Sequence, residues 1–207
     1  TLNPSSAASD VYKRQVSGLI EYLKSEQITH VVDATHPFAS KMSKNAIEAC
    51  SIASIPLAAL TRPPWQSKKG DKWINVPNLE AAVQYLKQPK KRVLLAIGRQ
   101  NLSLFYAQPH HKYVLRLVDP PEQPLKFPDH SVNIARGPFT IQDDTALFKK
   151  NKIDLVVAKN SGGSGAYSKI EVARTLGVSV VMVDRPEIPS RKVIFQADAA
   201  LNWLNQV

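Results

Sequence analysis

From Val16 onward the apolar positions change period repeatedly, and each change predicts an element. Val16, Leu19, Ile20 and Leu23 follow helical spacing. Residues 28–34 form a strand-like run. Pro37, a residue suited to a first helical turn, then opens a helix with Phe38, Met42, Ala46, Ala49 and Cys50 on one face. Residues 55–61 read as a buried strand, closed by Arg62, Pro63, Pro64 and Trp65. A short strand is expected at 72–76, and Asn78 is placed to cap a helix over 79–88. Strands then alternate with helices: strand 93–97, helix 101–108, strand 112–118, a proline-rich loop 119–129, strand 132–135, helix 140–150, strand 153–158, a glycine loop, helix 168–176 and strand 178–183. A short strand at 193–195 and a helix at 198–205 end the chain. Thr140 with Asp143, and Ser168 with Glu171, have capping-box spacing, and Gly177 stands where a helix C-cap glycine is expected.

Strands 153–158 and 178–183 are apolar at nearly every position, as strands covered on both faces are. The fold class is therefore α/β, with mainly parallel sheets in two Rossmann-like halves. The run Pro89, Lys90, Lys91, Arg92 marks the expected boundary, giving domains at 16–90 and 91–207. Residues 1–15 are small and polar without apolar periodicity, and are expected to be a non-native or disordered tail.

Composition narrows the function classes. The 207 residues are 43% hydrophobic and carry a formal charge of +10, so wholesale disorder is excluded and an anionic partner is favoured. One cysteine, Cys50, rules out an internal disulfide. No apolar run approaches a membrane span, so neither a membrane nor an oxidising compartment is expected, and the location is read as cytoplasmic. The basic residues are dispersed, without a nucleic-acid-binding pattern, and no nucleic-acid partner is expected. No cluster has zinc-ligand spacing, so no metal is expected.

In open parallel sheets ligands bind beyond the carboxyl ends of strands, and four segments of unusual composition fall at such ends. They are residues 33–39, 98–100, 136–139 and 159–165. The last has the physics of an anion cradle: glycines let backbone N–H groups approach closely, and a helix start adds partial positive charge. By composition alone it is either a ligand loop or a solvated turn. His36 is open to two readings, ligand contact or packing at the turn. Asp33 either holds a ligand hydroxyl or hydrogen-bonds the next turn. His110 and His111 read as surface residues.

Taken in order, the segments are more specific than any one alone. The run Val31, Val32, Asp33, Ala34, Thr35, His36, Pro37, Phe38, Ala39, followed by Ser43, Lys44, Asn45 and Ala46, resembles the signature of precorrin-6A reductases. Arg62 to Trp65, Ile97 to Gln100, Arg136 to Phe139, Lys159 to Gly163, Lys169 and Arg185-Pro186 match the same family in order. The resemblance implies an NADPH-dependent reductase of cobalamin biosynthesis, reducing one double bond of precorrin-6A, or of its cobalt form, to precorrin-6B. It implies a tetrapyrrole substrate, two Rossmann-like domains, and other cobalamin-pathway enzymes as possible partners. Thr35, Pro37, Phe38, Gly98, Arg99, Ser161, Gly162 and Gly163 would then contact the cofactor. Asp33, Ser43, Asn45, Arg136, Lys159 and Lys169 would contact substrate, with His36 as candidate proton donor.

The chain departs from the family pattern at its amino end, where a strand and a GGT-type loop are expected and the tract 1–15 stands instead. On that reading the first βα unit is missing, stability and NADPH binding are weakened, and the alternative is a dinucleotide- or tetrapyrrole-binding module without turnover.

Overall fold

Helix formation and strand pairing follow the periodicities closely in the computed structural model, which describes residues 15–206. The tract expected to be a tail lies, but for Gln15, outside the described residues. In chain order the elements are α1 (Val16–Ser25), β1 (Val31–Asp33), α2 (Ser40–Ala53), β2 (Leu57–Leu60), β3 (Trp73–Val76), α3 (Leu79–Tyr85) and β4 (Arg92–Ala96). A 3-10 helix (Arg99–Ala107), β5 (Lys112–Leu117), β6 (His130–Ile134), α4 (Ile141–Asn151), β7 (Leu155–Lys159), α5 (Ser168–Leu176), β8 (Ser179–Val183), β9 (Lys192–Ile194) and α6 (Ala197–Leu204) follow.

The chain divides into two units. One comprises the residues up to Pro63 and from Pro186 onward, and the other is Pro64–Arg185. The expected boundary near residue 90 does not coincide with this division. β3 and α3, assigned by sequence to the first half, belong to the second unit, because β3 pairs with β8 from Trp73↔Val180 to Val76↔Val183. The last strand returns to the first unit, where β9 pairs with β2. Only long-range pairing decides such membership, and local composition carries no record of it.

The first unit holds a three-stranded parallel sheet in the order β1-β2-β9. Leu23, Ala49 and Cys50 pack with Val16, Leu19, Ile20, Val31 and Leu57 into one apolar cluster. Ala58, Ile194 and Ala200 form another with Leu60 and Trp203. Neighbouring strand residues Leu57 and Ala58 thus face opposite layers, as the pleat requires. α2 begins at Ser40 rather than at Pro37, and residues 37–38 form a turn. Its buried face is Ser43, Ala46, Ala49 and Cys50, close to the expected one, with a buried hydroxyl at Ser43 that the apolar pattern does not announce.

The second unit is a six-stranded parallel sheet in the order β3-β8-β7-β4-β5-β6. From β4 the chain steps outward to β5 and β6. It then returns to the far side of β4 as β7 and steps the opposite way to β8. Right-handed crossovers in opposite directions place their helices on opposite faces, so the sheet is doubly wound. α4 packs on α5, and α3 on the 3-10 helix. The core includes Leu94, Val114, Phe148, Val156, Ala158, Ile170, Val172, Val180 and Met182, all nearly inaccessible. Asn78 caps α3 by accepting from the Ala81 N–H at 2.8 Å, and Gly177 ends α5 at φ 66°, both as expected.

His111, expected at the surface, is fully buried. Its Nδ1 accepts from the Lys91 N–H at 3.0 Å, and Nε2 bonds the Leu86 carbonyl at 2.8 Å. It satisfies two backbone groups at the entry to β4 and β5, a use that a neighbouring proline and histidine do not signal.

Candidate functional site

The sheet of the second unit changes winding direction between β4 and β7. The chains leaving these adjacent strands diverge there and open a crevice beyond their carboxyl ends, where ligands of doubly wound sheets bind. Two of the four sequence segments, 98–100 and 159–165, are the loops that flank it.

Gly98 holds φ 82°, and a Cβ added there would meet nothing within 4 Å. The backbone thus faces open space in a conformation that favours glycine. Gly162 and Gly163 hold φ 69° and 71°. The carbonyls of this second loop are occupied: Arg185 Nε donates to Asn160 O at 2.9 Å, Arg185 Nη2 to Ser161 O at 3.1 Å, and the Trp65 indole N–H to Gly163 O at 2.7 Å. Asn160 and Trp65 also exchange side-chain-to-backbone bonds of 2.7 and 3.0 Å. With these acceptors bound, the loop backbone is fixed ahead of α5, Gly162 buried and Gly163 half-buried. Beside the loop lies an open cavity of ≈ 460 Å³ whose walls include Trp65, Trp73, Asn75, Asn160, Asp184 and Arg185.

The remaining candidate residues of this unit divide into exposed and buried groups. Arg99 pairs with Glu122 at 2.8 Å and Arg136 with Asp119 at 3.1 Å; all four side chains are at least half exposed. Exposed pairs of this kind are worth about 0–1 kcal/mol, so an anionic ligand can displace the carboxylates. Both carboxylates belong to the proline-rich segment after β5. Lys159 is half-buried, and burial lowers its pKa. Lys169 is only 4% exposed. Its ammonium donates to the Ala166 carbonyl and lies 4.9 Å from the Trp65 ring centroid. Burial, with the nearby charge of Arg116, pushes it down to about 7 against the opposing pull of Asp144.

In the first unit the strand-to-helix turn after β1 is built around Asp33. Its Oδ1 accepts from the Thr35 N–H at 3.0 Å and the Thr35 hydroxyl at 2.7 Å, and its Oδ2 from the Ser43 hydroxyl at 2.6 Å. Of the two readings of Asp33, the one that hydrogen-bonds the next turn is realised. Burial acts to raise its pKa, but the bonds from Ser43 and Thr35 and the charge of Arg191 together bring it below the ordinary value. The turn exposes His36, half-exposes Phe38 and buries Pro37. His36 is exposed, and its Nδ1 accepts from the Phe38 N–H at 3.2 Å, which leaves Nε2 as the protonated nitrogen of the neutral ring. Asn45 lies one turn into α2 and is half-buried.

Sequence reasoning did not assign Trp65, Arg185, Arg116 or Asp144 to the site. A signal existed for three of them. Trp65 and Arg185 adjoin prolines at the ends of strand segments, and Arg116 is a charge inside the apolar run of β5. The expected capping box at Ser168 does not form: Tyr167 is the N-cap, and the Ser168 hydroxyl donates at 2.6 Å to the buried Asp144 carboxylate instead. With Tyr167 as N-cap, Ser168 stands inside the first turn of α5, where its hydroxyl meets a charged acceptor from α4.

A parallel sheet wound about a switch point, with glycine turns at its strand ends, defines a protein of the doubly wound α/β class. Its particular family is equally plain: the chain belongs to the precorrin-6x reductase CbiJ/CobK family, whose model matches residues 3–205. It is 51% identical over 189 residues to the precorrin-6A reductase of Rhodobacter capsulatus, covering 91% of this chain and 75% of that protein. The precorrin-6A reductase of a Sinorhizobium species is 44% identical over 90% of this chain and 73% of its own. The cobalt-precorrin-6A reductase of Priestia megaterium is 31% identical over 82% of this chain and 70% of its own. A solved CobK precorrin-6A reductase superposes with a TM-score of 0.90 at 50% identity, covering 92% of this chain and 78% of that one. Among the described residues no helix is long and apolar enough to cross a membrane.

Proposed function

We propose that this protein reduces one double bond of precorrin-6A, using NADPH, to give precorrin-6B in cobalamin biosynthesis. The observation that carries this reading is the 51% identity with a precorrin-6A reductase across nine-tenths of the chain. The metal-free macrocycle is favoured over its cobalt form because identity is higher to the relatives named for the former than to those named for the latter.

The residues fit such a cofactor. A dinucleotide brings phosphates, and the open backbone at Gly98, the N–H groups of Gly162 and Gly163, the Ser161 hydroxyl and the Arg99 guanidinium are donors matched to them. Thr35, Pro37 and Phe38 are assigned to a nicotinamide cofactor on the family resemblance. When bound, NADPH would supply a hydride for one carbon of the double bond, and a proton would be needed at the other. The macrocycle is a polycarboxylate, so cationic side chains suit its arms: Arg136, Lys159 and Lys169 are assigned to them, with Asn45 as a polar contact. Asp33 and Ser43 serve the substrate indirectly, by fixing the turn that carries His36. His36, exposed on that turn and oriented by the bond from the Phe38 N–H to its Nδ1, is the candidate proton donor.

An anaerobic assay tests the reading. Adding precorrin-6A to protein and NADPH is expected to consume NADPH and yield the dihydro product by mass spectrometry, with slower turnover of the cobalt form or with NADH. Saturable binding of both ligands without NADPH consumption would identify a binding module instead.

A further inference from the structure

Next to the loops that precede α4 and α5 in the second unit lies a buried ion pair. Arg116, on β5, donates both terminal nitrogens to Asp144, in the first turn of α4; the side chains are 7% and 2% exposed. Burying two charges costs several kcal/mol of desolvation, and apolar residues of similar volume often serve stability as well or better. Arg116 Nε is also left buried without a partner, an additional cost. Stability alone is therefore a weak reason for this pair.

Its connections suggest another. Asp144 Oδ2 also accepts the Ser168 hydroxyl at 2.6 Å, and Ser168 is the first residue of α5, directly after the glycine loop. The Arg116 guanidinium lies 4.4 Å from the Phe139 ring centroid, in the loop before α4. The Phe139 N–H in turn donates to Gly165 O at 3.2 Å. Both loops are thereby joined to a single carboxylate, one through Phe139 and Arg116, the other through Ser168. A charge-assisted bond in a dry site is directional and stiff, which an apolar contact is not.

We infer that Asp144 is a positioning residue: with Arg116 and Ser168 it ties the loop before α4 to the loop before α5, presetting the 161–165 backbone for an anionic ligand. The inference rests on the reading of that loop as the NADPH phosphate site. Presetting a loop before binding removes ordering entropy from the binding step, so its loss weakens affinity without touching the reacting atoms.

The hydroxyl of Ser168 is the part of the tie that can be removed most gently. Ser168→Thr keeps it and Ser168→Val, of the same shape as Thr, replaces it by a methyl, with Ser168→Ala as a smaller second deletion. Amide hydrogen exchange of a peptide covering 159–167 is read against a control peptide from β4, and the NADPH Kd is measured by calorimetry. In the Val and Ala variants exchange in the loop is expected to rise about tenfold while β4 is unchanged. The NADPH Kd is expected to rise about tenfold with kcat within about twofold. The Thr variant is expected to match the parent in both. The inference is overturned if Thr and Val variants behave alike, if exchange rises equally in β4, or if the loop loosens and the Kd stays unchanged. If the parent protein binds no NADPH but the loop responds to the hydroxyl as stated, the tie stands and the NADPH reading falls.

Discussion

Trp65 and Asn160 exchange two hydrogen bonds: the Trp65 N–H donates to Asn160 Oδ1 at 2.7 Å, and the Asn160 amide donates to the Trp65 carbonyl at 3.0 Å. A residue that enters the second unit is thereby stitched to the first turn of its glycine loop. The Trp65 indole adds a third bond, to Gly163 O. The loop is held on its acceptor side by an aromatic residue that sequence order places 95 positions away.

Asn160→Ala removes both reciprocal bonds and leaves a buried N–H and a buried carbonyl unpaired. Stability is expected to fall by about 1–3 kcal/mol in urea titration, with a red shift of tryptophan emission as the indole loosens. Unchanged stability would show that the exchange is replaced by solvent at no cost.

The pH dependence of folding should carry the mark of His111. Burial, helped by the charges of His110, Lys91 and Lys90, holds its pKa below the ordinary 6.5. The unfolded chain then binds a proton there before the folded one does. Stability contributed by the neutral ring is complete above pH 6.5 and is lost as pH falls below it toward the folded value. Comparing Tm at pH values above and below 6.5 for the parent and His111→Gln is expected to show a shallower acid-side slope in the variant.

Ser43→Ala removes one of the three bonds that hold the Asp33 carboxyl ionised. A carboxyl with a depressed pKa stabilises the fold above its unfolded value, and that contribution disappears as pH falls through the folded one. The variant carboxyl titrates higher, so the acid unfolding midpoint is expected to move to higher pH, with a destabilisation near neutrality of about 1–2 kcal/mol. Circular dichroism during acid titration checks both.

Glu122→Gln breaks the exposed pair with Arg99. Stability is expected to change by less than about 0.5 kcal/mol, while on the proposed assignment of Arg99 to NADPH its binding is expected to tighten, because the guanidinium no longer has a carboxylate to release. Arg99→Ala is expected to weaken NADPH binding and flatten its salt dependence, both read by calorimetry at two ionic strengths.

Periodicity, capping residues and strand-end glycines were enough to place nearly every element of this chain, because helix and strand formation reflect neighbours a few residues apart. Asn78, Thr140 and Gly177 act at the helix ends where their chemistry puts them. The segments around Thr35, Gly98, Arg136 and Gly162 likewise fall at the carboxyl ends of strands, since a parallel α/β order fixes which loops can reach a ligand. Tertiary structure alone decided the rest. It assigned β3 to the sheet of β8 and β9 to that of β2, buried His111, and drew the Ser168 hydroxyl from its own helix to Asp144. Each of those outcomes depends on groups distant in sequence meeting where water is excluded. There a buried carboxylate or an unpaired backbone group takes the best donor within reach, and no local pattern records which donor that will be.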